Sequence, residues 1–151
     1  MGVGEIMRFE ILQIDHVVFR VANADRAIRF YSEVLGCTLE RTVEAFGLIQ
    51  LRAGAALIDL VTIDGAIGRK GGVAPGRTGR NVDHIALRIA PFDATAIFEH
   101  LERHGVSHGD VATRYGAEGF GASIYIEDPD GNIIELKGPA EEGLREDQPG
   151  D

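Results

Sequence analysis

Nearly the same strand occurs twice in this chain. IDHVVFRVA (14–22) is followed 68 residues later by VDHIALRIA (82–90), and a histidine occupies the same position in each copy. At this offset further residues match, namely Asp15 with Asp83, Arg20 with Arg88, Ala22 with Ala90, Asp25 with Asp93 and Phe30 with Phe98. A repeat of this length indicates one structural unit present in two copies. The chain must therefore fold as a pair of similar modules.

Both copies of the strand alternate between apolar and other residues. Val17, Phe19 and Val21 share one face of the first strand, and His16 lies on the opposite face. Because side chains of a strand point alternately to its two sides, one face can pack in a core while the other remains open. The pattern predicts that both histidines, His16 and His84, lie outside the core.

Each strand precedes a helix and three further strands. Asn23 or Asp25 can cap the first helix, which we expect to end at Gly36, and Asp93 opens a second helix that ends at Gly105. Alternation and turn residues then predict strands at 38–44, 47–52 and 56–62 in the first copy, and at 108–115, 120–127 and 132–137 in the second. The result is an α+β fold of two tandem βαβββ modules.

The module boundaries follow from this pattern. We expect a flexible N-terminus at 1–11 and one domain at 12–138, which comprises module one at 12–62, a connector with six glycines at 63–80 and module two at 81–138. Residues 139–151 are rich in acidic residues, proline and glycine, and we expect a disordered tail there. A length of 151 residues fits a single domain.

Composition restricts the possible partners. The formal net charge of −9 argues against nucleic acid and against an anionic membrane surface, because both require a basic face. No apolar run reaches the length of a membrane span, and the N-terminus lacks the pattern of a secretory signal. A single cysteine, Cys37, excludes an internal disulfide. We therefore expect a cytoplasmic protein that acts on a small molecule.

Four residues of the metal-ligand type occupy equivalent positions in the two modules. The last strands contain Ile58-Asp59-Leu60 and Ile134-Glu135-Leu136, so each carboxylate points away from its apolar neighbours, as each histidine does. If the modules are related by a pseudo-twofold axis, His16, Asp59, His84 and Glu135 come together. Imidazoles and carboxylates suit a divalent transition metal such as Zn, Ni, Co, Mn or Fe(II).

The sequence resembles the vicinal oxygen chelate superfamily, which includes glyoxalase I, extradiol dioxygenases, fosfomycin-resistance transferases and bleomycin-binding proteins. The motifs that carry this resemblance are IDHVVFRV, RAIRFYSEVLG, VDHIALRI and SIYIEDPDGNIIEL, and it covers roughly residues 12–138. The resemblance implies a curved mixed sheet around a metal cavity, with ligands at His16, Asp59, His84 and Glu135, and it implies a homodimer. Members with four protein ligands usually carry Glu or Gln where this chain has Asp59.

The resemblance implies a metal-dependent lyase or isomerase of the glyoxalase I type. Such an enzyme acts on a substrate with vicinal oxygens through a metal-stabilised enediolate, and Glu135 or Asp59 moves the proton. One alternative is an extradiol-type Fe(II) dioxygenase that uses His16, His84 and Glu135 alone. Another is a metal-free protein that binds a small molecule such as an antibiotic. The modules pair either within one chain or across a dimer.

Further residues share the expected cavity face. Tyr125 is a candidate proton donor to a substrate oxygen, and Ser123, on the same face, is a candidate substrate-binding residue. Arg20 and Arg88 each follow a histidine by four residues, so they could hold an anionic substrate. By contrast, His100 and His104 have helical metal-ligand spacing, but we expect His100 on the solvent side and neither as a ligand. The glycines at 116, 119 and 121 predict a mobile flap.

Overall fold

Each repeat builds a four-stranded mixed sheet. In this computed structural model, which describes residues 6–145, the strand orders are β1-β4-β3-β2 and β5-β8-β7-β6. The first strand of each module runs parallel to the last, and the other pairs are antiparallel. The strands are β1 (His16–Val21), β2 (Thr38–Val43), β3 (Leu48–Ala53), β4 (Ala56–Thr62), β5 (Ile85–Arg88), β6 (Ala112–Gly116), β7 (Gly119–Glu127) and β8 (Ile133–Ala140). The predicted α+β fold of two βαβββ modules is confirmed.

Helices follow the first strand of each module, as expected. The helices are α1 (Ala24–Arg29) and α2 (Ala94–Arg103), with 3₁₀ turns at Glu44–Phe46 and Gly68–Gly71. The Asn23 side chain accepts a 2.9 Å hydrogen bond from the Arg26 amide and caps α1. The predicted single helix up to Gly36 differs from the structure, because a π-helical turn at Phe30–Val34 replaces its second half. Gly36 has a φ of +75°, a conformation that glycine adopts without strain.

The apolar faces of both sheets form one continuous core. Its members come from both modules and include Phe19, Val21, Leu51, Ile58, Leu60, Leu101, Ile124, Ile134 and Leu136. Hydrogen bonds that involve side chains also join the modules. The Tyr31 hydroxyl donates to Asp128 Oδ2 at 2.6 Å, and the His100 ring lies 2.8 Å from the Val34 carbonyl oxygen. The expectation that His100 faces solvent was therefore wrong, because α2 packs this histidine against the end of the π-helical turn.

At the C-terminal end, the last strand is longer than predicted. Strand β8 continues to Ala140, so it includes the first two residues of the predicted tail at 139–151. Residues 146–151 of that tail, and residues 1–5 of the predicted flexible N-terminus, lie outside the described part of the chain. Between residues 6 and 145, no helix has the length and apolarity needed to cross a membrane.

Candidate metal centre

Module one places His16 beside Asp59. His16 begins β1 and Asp59 lies in the middle of β4, and the parallel register of these strands puts both on the face opposite the core. Nε2 of His16 lies 4.0 Å from Oδ2 of Asp59, whose side chain is only 4% exposed. On its other side, Nδ1 of His16 lies 2.7 Å from Asp15 Oδ2. Gln50 donates a 2.9 Å hydrogen bond to Asp59.

Module two repeats this arrangement with a closer contact. His84 lies just before β5, and its Nε2 atom is 3.1 Å from Oε1 of Glu135 in β8. Nδ1 of His84 lies 2.7 Å from Asp83 Oδ2, as in the first module. Tyr125 is opposite Glu135 in the β7–β8 register, and its ring meets the His84 ring edge-on at a centroid distance of 5.2 Å. Each module therefore presents a histidine between two carboxylates.

The surroundings of these groups shift two pKa values. The hydrogen bond to Asp15 raises the pKa of His16, and Asp59 adds to the effect. Burial raises the pKa of Tyr125, and the charge of Glu135 raises it further. The Tyr125 hydroxyl consequently stays protonated at neutral pH, which a hydrogen-bond donor requires.

The side chains suit a divalent cation. Oδ1 of Asp59 is buried and has no hydrogen-bond partner among the described residues, so a carboxylate lone pair is left for another ligand. Each histidine has a carboxylate on Nδ1, and such partners orient metal-binding imidazoles in proteins. Nevertheless, among residues 6–145 no three His, Cys, Asp or Glu side chains lie close enough together to hold a metal. The structure shows two separate histidine–carboxylate pairs, which we call the half-sites.

The position of the core explains why the half-sites remain separate. Both sheets turn their apolar faces towards the one shared core, so the faces that carry the half-sites point away from it. We call these the open faces; they carry His16 and Asp59 in module one, and His84 and Glu135 in module two. Each half-site is accessible, because the side chains of His16 and His84 are 44% and 30% exposed. A four-ligand centre would require two open faces to meet.

The two arginines predicted to bind substrate have protein partners. Arg20 donates hydrogen bonds to three connector carbonyls, at 2.7 Å to Gly68, 2.6 Å to Gly72 and 3.1 Å to Val73. Arg88 pairs with Glu118 at 2.5 Å. Either guanidinium group could bind substrate only if it first broke these contacts within the protein.

The structure adds residues that the sequence interpretation missed. Asp15 and Asp83 bind the two histidines, and the repeated Asp-His pair was a signal for them. Gln50 and Arg114 had no such signal, because only strand pairing brings them to Asp59 and to Ser123. His100 and His104 contact each other at a ring centroid distance of 4.7 Å, away from either half-site.

The fold and the paired half-sites define a protein of two βαβββ modules with a histidine and a carboxylate on each open face. The family model of the Glyoxalase/Bleomycin resistance protein/Dioxygenase superfamily matches residues 13–136. The chain belongs to this superfamily.

Similar proteins in this superfamily include one named as an enzyme and one named as a virulence protein. The chain is 34% identical to a lactoylglutathione lyase of Haemophilus influenzae, over 83% of this chain and 91% of that one. It is also 34% identical to the virulence protein STM3117 of Salmonella typhimurium, over 87% and 88% of the two chains. The crystal structure of STM3117 superposes with a TM-score of 0.68 and 28% identity, covering 87% of this chain and 100% of that one. These relatives establish the fold and the family.

Proposed function

We propose that the chain is a divalent-metal-dependent lyase of the glyoxalase I type, acting on a small substrate with vicinal oxygens. The observation that carries the proposal is the matched pair of half-sites, His16 with Asp59 and His84 with Glu135, in equivalent positions of the two modules. The relative named lactoylglutathione lyase supports the same reaction class. Such a centre takes Zn, Ni, Co, Mn or Fe(II).

The four ligand-type side chains would hold the metal, and a bound divalent cation would polarise a substrate oxygen and acidify the adjacent C–H. Glu135 is the better placed base, because its carboxylate lies on the open face beside Tyr125. It would accept the proton from the hydroxyl-bearing carbon of a hemithioacetal and return it to the neighbouring carbonyl carbon, while the hydroxyl proton passes to the oxygen of that carbonyl, so that an α-hydroxy thioester results. The Tyr125 hydroxyl would donate a hydrogen bond to a substrate oxygen.

We further propose that a second copy of the chain completes each centre. Two open faces must meet to bring four ligands together, and within one chain both faces point away from the shared core. In the proposed homodimer, His16 and Asp59 of one protomer face the partner's His84 and Glu135. This arrangement satisfies the symmetry of a closed dimer, in which each contact occurs twice.

Metal content and turnover test the proposed function together. Elemental analysis of the purified protein should find a divalent transition metal, and the protein should convert the hemithioacetal of methylglyoxal and glutathione to a thioester. The His84→Ala variant should lose both properties, while His104→Ala, which changes a histidine outside the half-sites, should retain them. A protein that holds no metal, and whose His84→Ala variant is equally active, excludes this function.

One contact favours a dioxygenase as the second candidate. Asp59 lies 4.0 Å from His16, whereas Glu135 lies 3.1 Å from His84, and the longer contact favours a centre made by His16, His84 and Glu135 without Asp59. Such a set is typical of Fe(II) oxygenases. Ferrous-dependent oxygen uptake with catechols, retained in an Asp59→Ala variant, would identify this activity. A metal-free binding protein would instead show no thermal shift with any divalent cation.

A further inference from the structure

The open face of module two carries an arginine that forms no ion pair with any carboxylate of residues 6–145. Arg114 lies in β6, and its Nη1 atom donates a 2.7 Å hydrogen bond to the hydroxyl oxygen of Ser123 in β7. The guanidinium carbon lies 4.1 Å above the ring centroid of Tyr125. Stacking and the hydrogen bond together fix the orientation of the guanidinium group.

A buried lysine lies on the same face. Lys137 follows Glu135 by two residues in β8 and is 7% exposed. Its ammonium group makes long hydrogen bonds, at 3.5 Å to the carbonyl oxygen of Gly119 and 3.4 Å to that of Gly138. A Cβ atom on Gly121, the residue opposite Arg114 in the β6–β7 register, would lie 2.8 Å from Lys137 Nζ. Ser123, which binds Arg114, is also the partner of Lys137 in the β7–β8 register, so the two cations lie on either side of this serine on the open face.

These two cations are uncompensated within the described residues. The acidic side chains on this face are already paired, Glu135 with His84 at 3.1 Å and Glu118 with Arg88 at 2.5 Å. No carboxylate of residues 6–145 forms an ion pair with Arg114 or Lys137. A buried ammonium group without a counter-charge is costly, so its presence indicates an anionic partner from outside the chain.

The repeat shows that the cations are not required by the module itself. Val61 follows Asp59 by two residues, as Lys137 follows Glu135. Val61 pairs with Leu48 in the β3–β4 register, where module two pairs Lys137 with Ser123. Module one thus builds the same strands with apolar side chains at these positions. The polar pair of Lys137 and Ser123 therefore occurs on the open face of module two, and apolar residues replace it in module one.

We propose that Arg114 and Lys137 form a subsite for an anionic group of the substrate. Ser123 and Tyr125 hold Arg114 in place, and Lys137 supplies the second positive charge. The substrate class is then a small molecule that carries an oxyanion, either a carboxylate or a phosphoryl group, in addition to its vicinal oxygens. The inference rests on the proposed function for the position of the reacting atoms, but anion binding tests it without turnover.

The experiment measures binding of inorganic phosphate and of acetate to the full chain by calorimetry, in a chelating buffer of low ionic strength. We expect at least one of the two anions to bind. The Arg114→Met and Lys137→Met variants should each weaken binding about tenfold or more, since each removes one charge-assisted contact. The Arg114→Lys and Lys137→Arg variants should retain part of it. Arg103→Met, at the exposed end of α2, is the matched control and should bind as the unaltered chain does.

Thermal unfolding separates a binding role from a structural one. If the buried charge of Lys137 has no partner, the Lys137→Met variant should unfold at the same or a higher midpoint temperature when no anion is present. The reason is that a residue kept for binding can lower the stability of the protein. A lowered midpoint, or binding unchanged in the Arg114→Met and Lys137→Met double variant, overturns the proposal. A protein that binds phosphate or acetate but does not turn over the hemithioacetal refutes only the proposed function. Turnover without anion binding refutes only this inference.

Discussion

The Tyr31 hydroxyl donates a 2.6 Å hydrogen bond to Oδ2 of Asp128, which joins the π-helical turn of module one to the β7–β8 turn of module two. Both side chains are buried, and Asp128 also accepts bonds from the Asp130 amide and from Asn132. Burial, with the charge of Asp128, raises the pKa of Tyr31, so the hydroxyl remains a donor at every physiological pH.

This bond predicts a stability cost when it is removed. The Tyr31→Phe variant should lower the free energy of unfolding by about 1.5–3 kcal/mol, because a carboxylate then loses a buried donor. Chemical denaturation measures the change. Tyr115→Phe is the control, since Tyr115 is 68% exposed and should lose almost nothing. Equal stability of the two variants would contradict an important role for the bond between the modules.

The proposed dimer predicts complementation between two inactive chains. A His16→Ala chain and a Glu135→Ala chain should each lack function alone, whereas their heterodimer has one centre with four unaltered ligands. In an equal mixture about half of the dimers are heterodimers, and each has one of its two centres intact, so about a quarter of the activity of the unaltered protein should return together with bound metal. Pairing within one chain leaves no intact centre in this mixture. If the protein has the mass of a monomer in solution and still binds its full complement of metal, a centre shared between two protomers is excluded.

The carboxylates behind the histidines predict an effect on metal affinity. Asp83 lies 2.7 Å from Nδ1 of His84, on the side opposite Glu135. The Asp83→Asn variant should bind metal about 10–100-fold more weakly, because such partners orient the imidazole and increase its basicity. Competition with a chromogenic chelator measures this change. Asp64→Asn alters an exposed carboxylate after β4 and should leave the affinity unchanged; a similar loss in both variants would indicate a general charge effect.

The three bonds of Arg20 predict that it secures the connector. In Arg20→Met the carbonyls of Gly68, Gly72 and Val73 lose their donors, and the segment should open more often. Trypsin should then cleave severalfold faster within 69–77, because opening governs cleavage of a folded chain. Arg29→Met serves as the control. If both variants are cleaved at one rate, the arginine does not hold the connector.

The single cysteine predicts a pH-dependent reactivity. Burial raises the pKa of the Cys37 thiol, which is 7% exposed, so the reactive thiolate is scarce at neutral pH. Alkylation of the folded chain should therefore be at least tenfold slower than that of the unfolded chain at pH 8. As the pH rises, the Cys37 thiol loses its proton in the unfolded chain before it does so in the folded chain. The free energy of unfolding is therefore unaffected by this group below the ordinary thiol pKa, and it decreases as the pH rises above that value. Rapid alkylation of the folded chain at neutral pH would contradict this protected environment.

Much of the fold could be predicted because short-range sequence patterns define the strands and helices of each repeat. Alternation in the sequence gives β1 and β4 their two faces, and it predicts that His16, Asp59 and Glu135 lie outside the apolar core. Caps at Asn23 and Asp93 likewise marked the starts of both helices. These features depend on residues close together in the chain, so the sequence alone contains them.

The sequence by itself determined the duplicated βαβββ unit and the ligand-type residues on one face of each sheet. Only the tertiary structure decided which long side chains remain available to a ligand. Arg20 reaches connector carbonyls some 50 residues away. By contrast, Arg114 lies beside Ser123 and Tyr125 and has no acidic partner within the described part of the chain. The tertiary structure also turned both open faces away from the shared core. Alternation specifies the side of a strand on which a residue lies, but the partners of a flexible charged side chain depend on how distant strands and loops pack.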